Sequence, residues 1–404
     1  MTSTSGPTLE TMSYGLQGIS PHNGPIGAKL GEGALLHLAL GADIGYDSNV
    51  FYEHYSPTGA AVAHVTPAVD LSNGERDGSV PDGVFYDLGA SLTYREYLSG
   101  GKDVRDMRAF NPNVGGLLRF SSRQTLSLSL SDNFARTEDP PYSSKEAIIT
   151  HDRNIGSIEF KVAPGGGRIQ LLLRYNNVLD LYETTGYQYA NNMGNEGVLD
   201  LSWRWLPKTA FFMQVAQGVV TYLKPDSTHP EVASYPLRAT AGLRGLLTEK
   251  LGLNLAAGYA NGFYASGNTP SGFGNVVLVG ELTYNMSLTS KAGLGYRHDF
   301  QNSPFIGNYY NMDAVYAAFR EYIGGRVATA AYARFENRAY QVTPSRTDQV
   351  VIAGLTADYV IQRVFYIGVG YTLTLARTNN TDALNNGGVD YTKHLIVGRL
   401  GVVY

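Results

Sequence analysis

The chain has 404 residues, a net charge of −4, 47 glycines, 29 tyrosines, 2 tryptophans and no cysteine. The lack of cysteine excludes disulfides, thiolate catalysis and cysteine metal sites, and it suits passage through an oxidising periplasm. So small a charge gives no ground for a nucleic-acid partner, and no run of apolar residues is long enough for a transmembrane helix.

Residues 1–33 are polar and rich in Gly and Pro, and they read as a loosely ordered periplasmic lead-in. Met1-Thr2-Ser3-Thr4-Ser5-Gly6 lacks the basic and apolar segments of a secretory leader. The expectation is that a leader has been removed.

From residue 34 onward one pattern recurs: 11–15 residues in which apolar side chains alternate with small or polar ones, then a break. This is the period of a β-strand with two unlike faces. Leu36, Leu38, Leu40, Ala42, Ile44 and Tyr46 alternate with His37, Ala39, Gly41, Asp43, Gly45 and Asp47. Leu126, Leu128 and Leu130 alternate with serines, and Leu199, Leu201, Trp203 and Trp205 alternate with Asp200, Ser202 and Arg204. About eighteen such stretches are expected, at 34–48, 60–72, 84–97, 108–120, 124–137, 153–163, 168–182, 195–206, 209–223, 235–247, 251–264, 275–286, 291–300, 309–321, 326–338, 349–361, 364–377 and 392–404.

The connections alternate between short, as at Pro207-Lys208, and long, as at 138–152; the connection near 73–83 is the exception. Short periplasmic turns and longer external loops are what an up-and-down barrel requires. The expected fold is an all-β transmembrane antiparallel barrel over 34–404. The final strand ends on Tyr404, with Ile396, Leu400 and Val402 on the same face and Arg399 on the other. That ending resembles the closing strand of outer-membrane barrels, where it serves as an assembly signal, and it implies the outer membrane of a Gram-negative bacterium.

Aromatic residues gather at strand ends, as amphipathic rings do at a membrane interface. Tyr94, Tyr259, Phe263, Tyr296 and Phe300 mark the external girdle, and Tyr86, Trp203, Trp205, Tyr284, Tyr359 and Tyr404 the periplasmic one. The polar face carries the candidate lumen-lining residues Arg95, Arg119, Arg174, Arg204, Arg238, Arg244, Arg297, Arg334, Asp200, Glu281, Asp313 and Asp358. Basic and acidic positions nearly balance, which argues against strong ion selectivity. Many inward Gly, Ser, Thr and Ala positions leave room inside, and a ring of this size encloses an aqueous channel.

The longest connection, 138–152, lies where diffusion porins, which the chain resembles in outline, fold their third external loop inward; Ile148 and Ile149 are its apolar residues. The eight histidines show no metal-ligand spacing. No Ser/His/acid constellation points to an enzyme, and no cofactor is implied.

The segment Gly45-Tyr46-Asp47-Ser48-Asn49-Val50-Phe51, with Thr66-Pro67-Ala68-Val69 after it, resembles the opening motif of a family of outer-membrane β-barrel porins associated with exopolysaccharide export. The resemblance covers about 40 residues, and it implies a conduit for a secreted polysaccharide working with a periplasmic export protein. The residues alone leave two rivals, a general or sugar-specific diffusion porin and a structural or adhesion barrel. Asp47 and Asn49 are of the type that fixes a turn by side-chain-to-backbone bonds.

Overall fold

In a computed structural model, the described residues are 27–31, 33–73, 83–122, 125–139, 149–225, 232–265, 274–303, 305, 309–341, 345–362, 364–380 and 390–404. They form a short strand, β1 (Ala28–Leu30), and eighteen long ones. In chain order these are β2 (Ala34–Asp47), β3 (Ala60–Ser72), β4 (Gly83–Tyr97), β5 (Ala109–Ser122), β6 (Leu126–Asp139), β7 (Ile149–Val162), β8 (Ile169–Tyr182), β9 (Asn192–Leu206) and β10 (Thr209–Tyr222). They continue as β11 (Leu237–Leu246), β12 (Leu251–Asn261), β13 (Gly274–Asn285), β14 (Ser290–Asn302), β15 (Tyr309–Ile323), β16 (Val327–Tyr340), β17 (Arg346–Ile361), β18 (Phe365–Thr378) and β19 (Tyr391–Val403).

Each long strand pairs antiparallel with its sequence neighbours, and β19 pairs with β2 from Leu395↔Asp47 to Val403↔Ala39. The ring is closed. β1 folds back on the start of β2 as a small hairpin. Traced once round the ring, the paired positions return to β2 displaced by about 22 residues. At about 3.3 Å per residue and 4.8 Å between strands, a circular ring with that stagger has strands tilted about 40° and a backbone diameter of about 35 Å. A fourteen-residue strand at that tilt rises about 35 Å, enough for an apolar band and both interfaces.

The two faces sort as the alternation requires. Leu126, Leu128 and Leu130 are exposed on the outside of β6, as are Leu199, Leu201 and Trp203 on β9 and Leu355 on β17. In water such rows would forfeit about 1.5–3 kcal/mol per large side chain; against lipid tails they are at home. Trp203 and Trp205 both pack near Phe211 at the periplasmic rim, and Tyr94 packs on Phe110 at the external rim. The turn Pro164-Gly165-Gly166-Gly167 needs glycine, because φ is 60°, 70° and 74° at its three glycines.

All eighteen expected strands are present, with shifts at their external ends. β7 begins at Ile149, β9 at Asn192 and β17 at Arg346. The first and last of these extensions carry charged residues that read as loop but are paired: Arg136 with Asp152 at 2.7 Å, and Arg346 with Asp348 at 2.8 Å. The third long connection shrinks accordingly to 140–148, which lies outside the described residues, as does most of the lead-in. Ile149, read as a loop residue, is a buried wall residue of β7.

Phe300 is corrected too. It is 1% exposed and packs with Ala260, Val277 and Tyr309 rather than in the outer girdle.

The sorting of faces is testable. Leu355→Arg should destabilise the barrel by about 2–4 kcal/mol in a bilayer. Thr372→Arg on the inner face should cost less than about 1 kcal/mol. Urea unfolding in lipid vesicles measures both.

Candidate functional site: the inner wall and the external mouth

Face parity and register place Arg95, Arg119, Arg174, Arg204, Arg238, Arg244, Arg297, Arg334, Asp200, Glu281 and Asp358 on the inner face. Asp313 is the exception. It shares its face with Val315, which is exposed to the outside, and it accepts hydrogen bonds from Tyr296 Oη and His298 Nδ1, each at 2.8 Å, on the same outer face. It belongs to the external interface, where polar groups meet headgroups.

Most inner charges lie against the wall. Arg174 pairs with Glu159, its cross-strand neighbour, at 2.5 Å. Arg244 reaches over the Phe212 ring to grip Asp200 with two bonds of 2.6 and 3.0 Å, and Gln214 also donates to Asp200. Arg399 meets Asp358 at 3.3 Å across β18, where a side chain at Gly368 would strike the Asp358 carboxylate. Glu336 is clasped by Arg334 and Arg338. Arg204 donates to the carbonyls of Gly166 and Gly167, bracing a periplasmic turn, and Arg119 donates to Ser129. Arg95 donates to the carbonyls of Met107 and Glu138. Glu281 accepts from Tyr316 Oη at 2.6 Å and from Asn254 at 3.1 Å.

Inner tyrosines lie flat over glycine. Tyr316 pairs with Gly295, Tyr332 with Gly354 and Tyr366 with Gly401, and a Cβ on any of these glycines would come within 2.3 Å of the ring. Large polar side chains therefore press against the wall instead of standing into the bore.

The external mouth is built from loops that fold inward. Tyr52, at φ 58°, packs edge-on to Tyr391 with ring centroids 4.9 Å apart, and Lys393 Nζ lies 4.1 Å from its ring centre. The turn Lys102–Arg105 presses Val104 into a cluster with Val62, Tyr97 and Met107. Within Gly45–Phe51, Asp47 accepts from Asn49 N, Tyr97 Oη and Lys393. Asn49 donates to the carbonyls of Glu53 and Thr392. The motif ties the first loop to β4 and β19.

The β14–β15 connection goes further. Phe305 packs against Tyr182, Tyr187 and Tyr189, at centroid distances of 5.1, 6.0 and 6.4 Å, beside Ile149 and Ala190. Those partners belong to β7, β8 and the β8–β9 connection, so Phe305 meets elements that lie about six strands away along the ring from β14. The root of this connection is Phe300 and Tyr309 against β12 and β13, with Tyr264 stacked on Tyr309 at 5.0 Å. Burial, with the neighbouring Tyr222 and Tyr309 hydroxyls, pushes the Tyr264 hydroxyl well above its ordinary range, so it stays neutral. Sequence reading missed Phe305, because one aromatic in a polar loop carries no periodic signal.

A closed ring with apolar rows outside and paired charges inside is a bilayer-spanning structure. The chain is an eighteen-stranded outer-membrane β-barrel. No family model and no curated protein matches its sequence. Among solved structures it is similar to Acinetobacter baumannii OccAB3, with TM-score 0.48 and 11% identity over 92% of this chain and 99% of that one. It is also similar to Pseudomonas aeruginosa OpdK, solved with vanillate, with TM-score 0.48 and 11% identity over 91% of this chain and 99% of that one. For Pseudomonas aeruginosa OccK9 the TM-score is 0.48 and the identity 11%, over 91% and 98% of the two chains. At these values the likeness is one of barrel outline.

The tyrosine-on-glycine packing predicts a specific coupling. Gly354→Leu should cost about 1–3 kcal/mol by overpacking against Tyr332. Adding Tyr332→Ala should recover most of that loss. A double-mutant cycle from urea unfolding measures the recovery.

Proposed function

We propose that this barrel is a diffusion channel for small hydrophilic solutes. The observation that carries the proposal is the pairing of a wide ring with an aromatic contact at its external mouth, Phe305 against Tyr182, Tyr187 and Tyr189. Eighteen strands enclose a bore of the size class that holds water. Its wall charges are drawn flat by ion pairs and by glycine notches. The Phe305 contact adds side chains at the external side, which favours small solutes over a wide polymer. Mixed charges along the wall offer hydrogen bonds to polar solutes of either sign without a strong field.

A second reading, export of a polysaccharide with a periplasmic partner, is favoured by the resemblance of Gly45–Phe51 and Thr66–Val69. The geometry gives Asp47 and Asn49 anchoring duties there, and those duties serve any cargo equally.

Purified protein in liposomes should admit mono- and disaccharides in swelling assays and give discrete conductance steps in planar bilayers. Phe305→Ala removes about 1.5–3 kcal/mol of docking, which is about a ten- to hundredfold loss in occupancy of the docked state. Conductance and the size limit should both rise. An impermeable barrel whose permeability appears only with a polymer-export partner would favour the second reading.

A further inference from the structure

The outer face carries a polar sector that lipid tails cannot satisfy. On β2 the outward row stays apolar toward the external end, through Leu38, Leu40, Ile44 and Tyr46. On β6 to β10 it breaks. The outward positions that follow Leu130, Ile158, Tyr175, Leu199 and Val215 in the external direction include Asp132, Asn154, Asn177, Asn195 and Gln217.

Asp132, Gly156, Asn177 and Asn195 form one unbroken row of cross-strand partners. Asn154 donates to Asp132 at 3.0 Å, and Asn177 Nδ2 and Tyr175 Oη donate to Asn195 at 2.9 and 2.6 Å. Gly116 and Gly156 flank Asp132 in the ladder; Leu88 covers Gly116, and the Asp132 carboxylate leans over Gly156, where an added Cβ would meet it at 3.3 Å. Asp132 is the seventh residue of the fourteen in β6, near mid-height of the belt. A carboxylate facing hydrocarbon at that depth is expensive.

We propose that this sector is the seam at which two copies of the chain associate within the membrane, independently of what passes through the bore. The chemistry selects a second copy. The sector presents amide donors (Asn154, Asn177, Asn195, Gln217) beside acceptors (the Asp132 carboxylate and the amide carbonyls), so it is complementary to itself. Gly197, outward between Asn195 and Leu199 with nothing within 4 Å of an added Cβ, leaves space for a second wall to approach closely, as small residues do between membrane helices. Above this row the outward positions Phe134, Leu179, Met193 and Val219 are apolar again, and beyond them Arg136 pairs with Asp152 and Glu183 at 2.7 and 2.9 Å. Closed oligomers of one chain use such self-complementary faces.

The absence of cysteine makes the test clean. Asn177→Cys is placed in the seam, and Leu355→Cys on β17, nine strands away on the opposite wall. Each full-length protein is reconstituted in vesicles, treated with a bismaleimide cross-linker and weighed by native mass spectrometry after gentle extraction. Asn177→Cys should yield multiples of the chain mass and Leu355→Cys should not. In the Asn177→Cys background, Asp132→Leu with Asn195→Leu should reduce cross-linking at least about tenfold, equivalent to about 1.4 kcal/mol. Both changes place apolar groups on the outer face, so the barrel itself should still fold, shown by retained heat-modifiable mobility.

A monomeric mass with equal cross-linking from both cysteines would overturn the proposal. So would a monomer that retains a polar lipid in the wild type and loses it with Asp132→Leu, which would assign the polar row to a headgroup.

Discussion

Lipid offers no partner to a backbone amide, and the whole architecture follows from that. A sheet in hydrocarbon cannot have an edge, because each unpaired N–H or C=O costs several kcal/mol. The pairing of β19 with β2 removes the last edge. Once the ring must close, strand number and stagger jointly fix its tilt and diameter, and the side chains only decide which face meets oil. The exposed leucines outside and the paired charges inside are consequences of closure more than causes of it.

The inner wall shows how a barrel of this width keeps its interior clear. Long polar side chains are needed to hydrate the wall, yet each is able to reach into the bore. Here they are tied sideways. Arg244 bends over Phe212 to Asp200, Arg174 takes its neighbour Glu159, and Tyr316 lies over Gly295 to reach Glu281. The glycines that look like weak strand formers are what let these side chains lie down. Packing of the usual kind returns at the external mouth, where inward-folded loops build small aromatic clusters on the inner wall.

Period-two alternation made the strands legible, because a lipid-facing row tolerates few exceptions: β2 and β18 can be read almost residue by residue. Errors gathered where a single strand does not hold the information. Asp152 at the external end of β7 looks like loop until its partner Arg136 on β6 is seen, whereas Arg346 and Asp348 pair with each other on β17 and look like loop because polar side chains there carry no apolar period. Asp313 was read as inward on polarity, but its partners Tyr296 and His298 lie on a neighbouring strand and fix it outside. Phe300 alternates correctly and is still buried, because the β13–β14 ladder stops at Leu278↔His298 and its ring packs with Ala260, Val277 and the inner-face Arg238. The packing of Phe305 joins elements more than a hundred residues apart in the chain.

The contact of Phe305 with Tyr182, Tyr187 and Tyr189 also has a mechanical meaning. Every backbone ladder in the ring joins neighbouring strands alone. This contact joins elements six strands apart, so it acts as a cross-brace that stiffens the external rim against ovalisation.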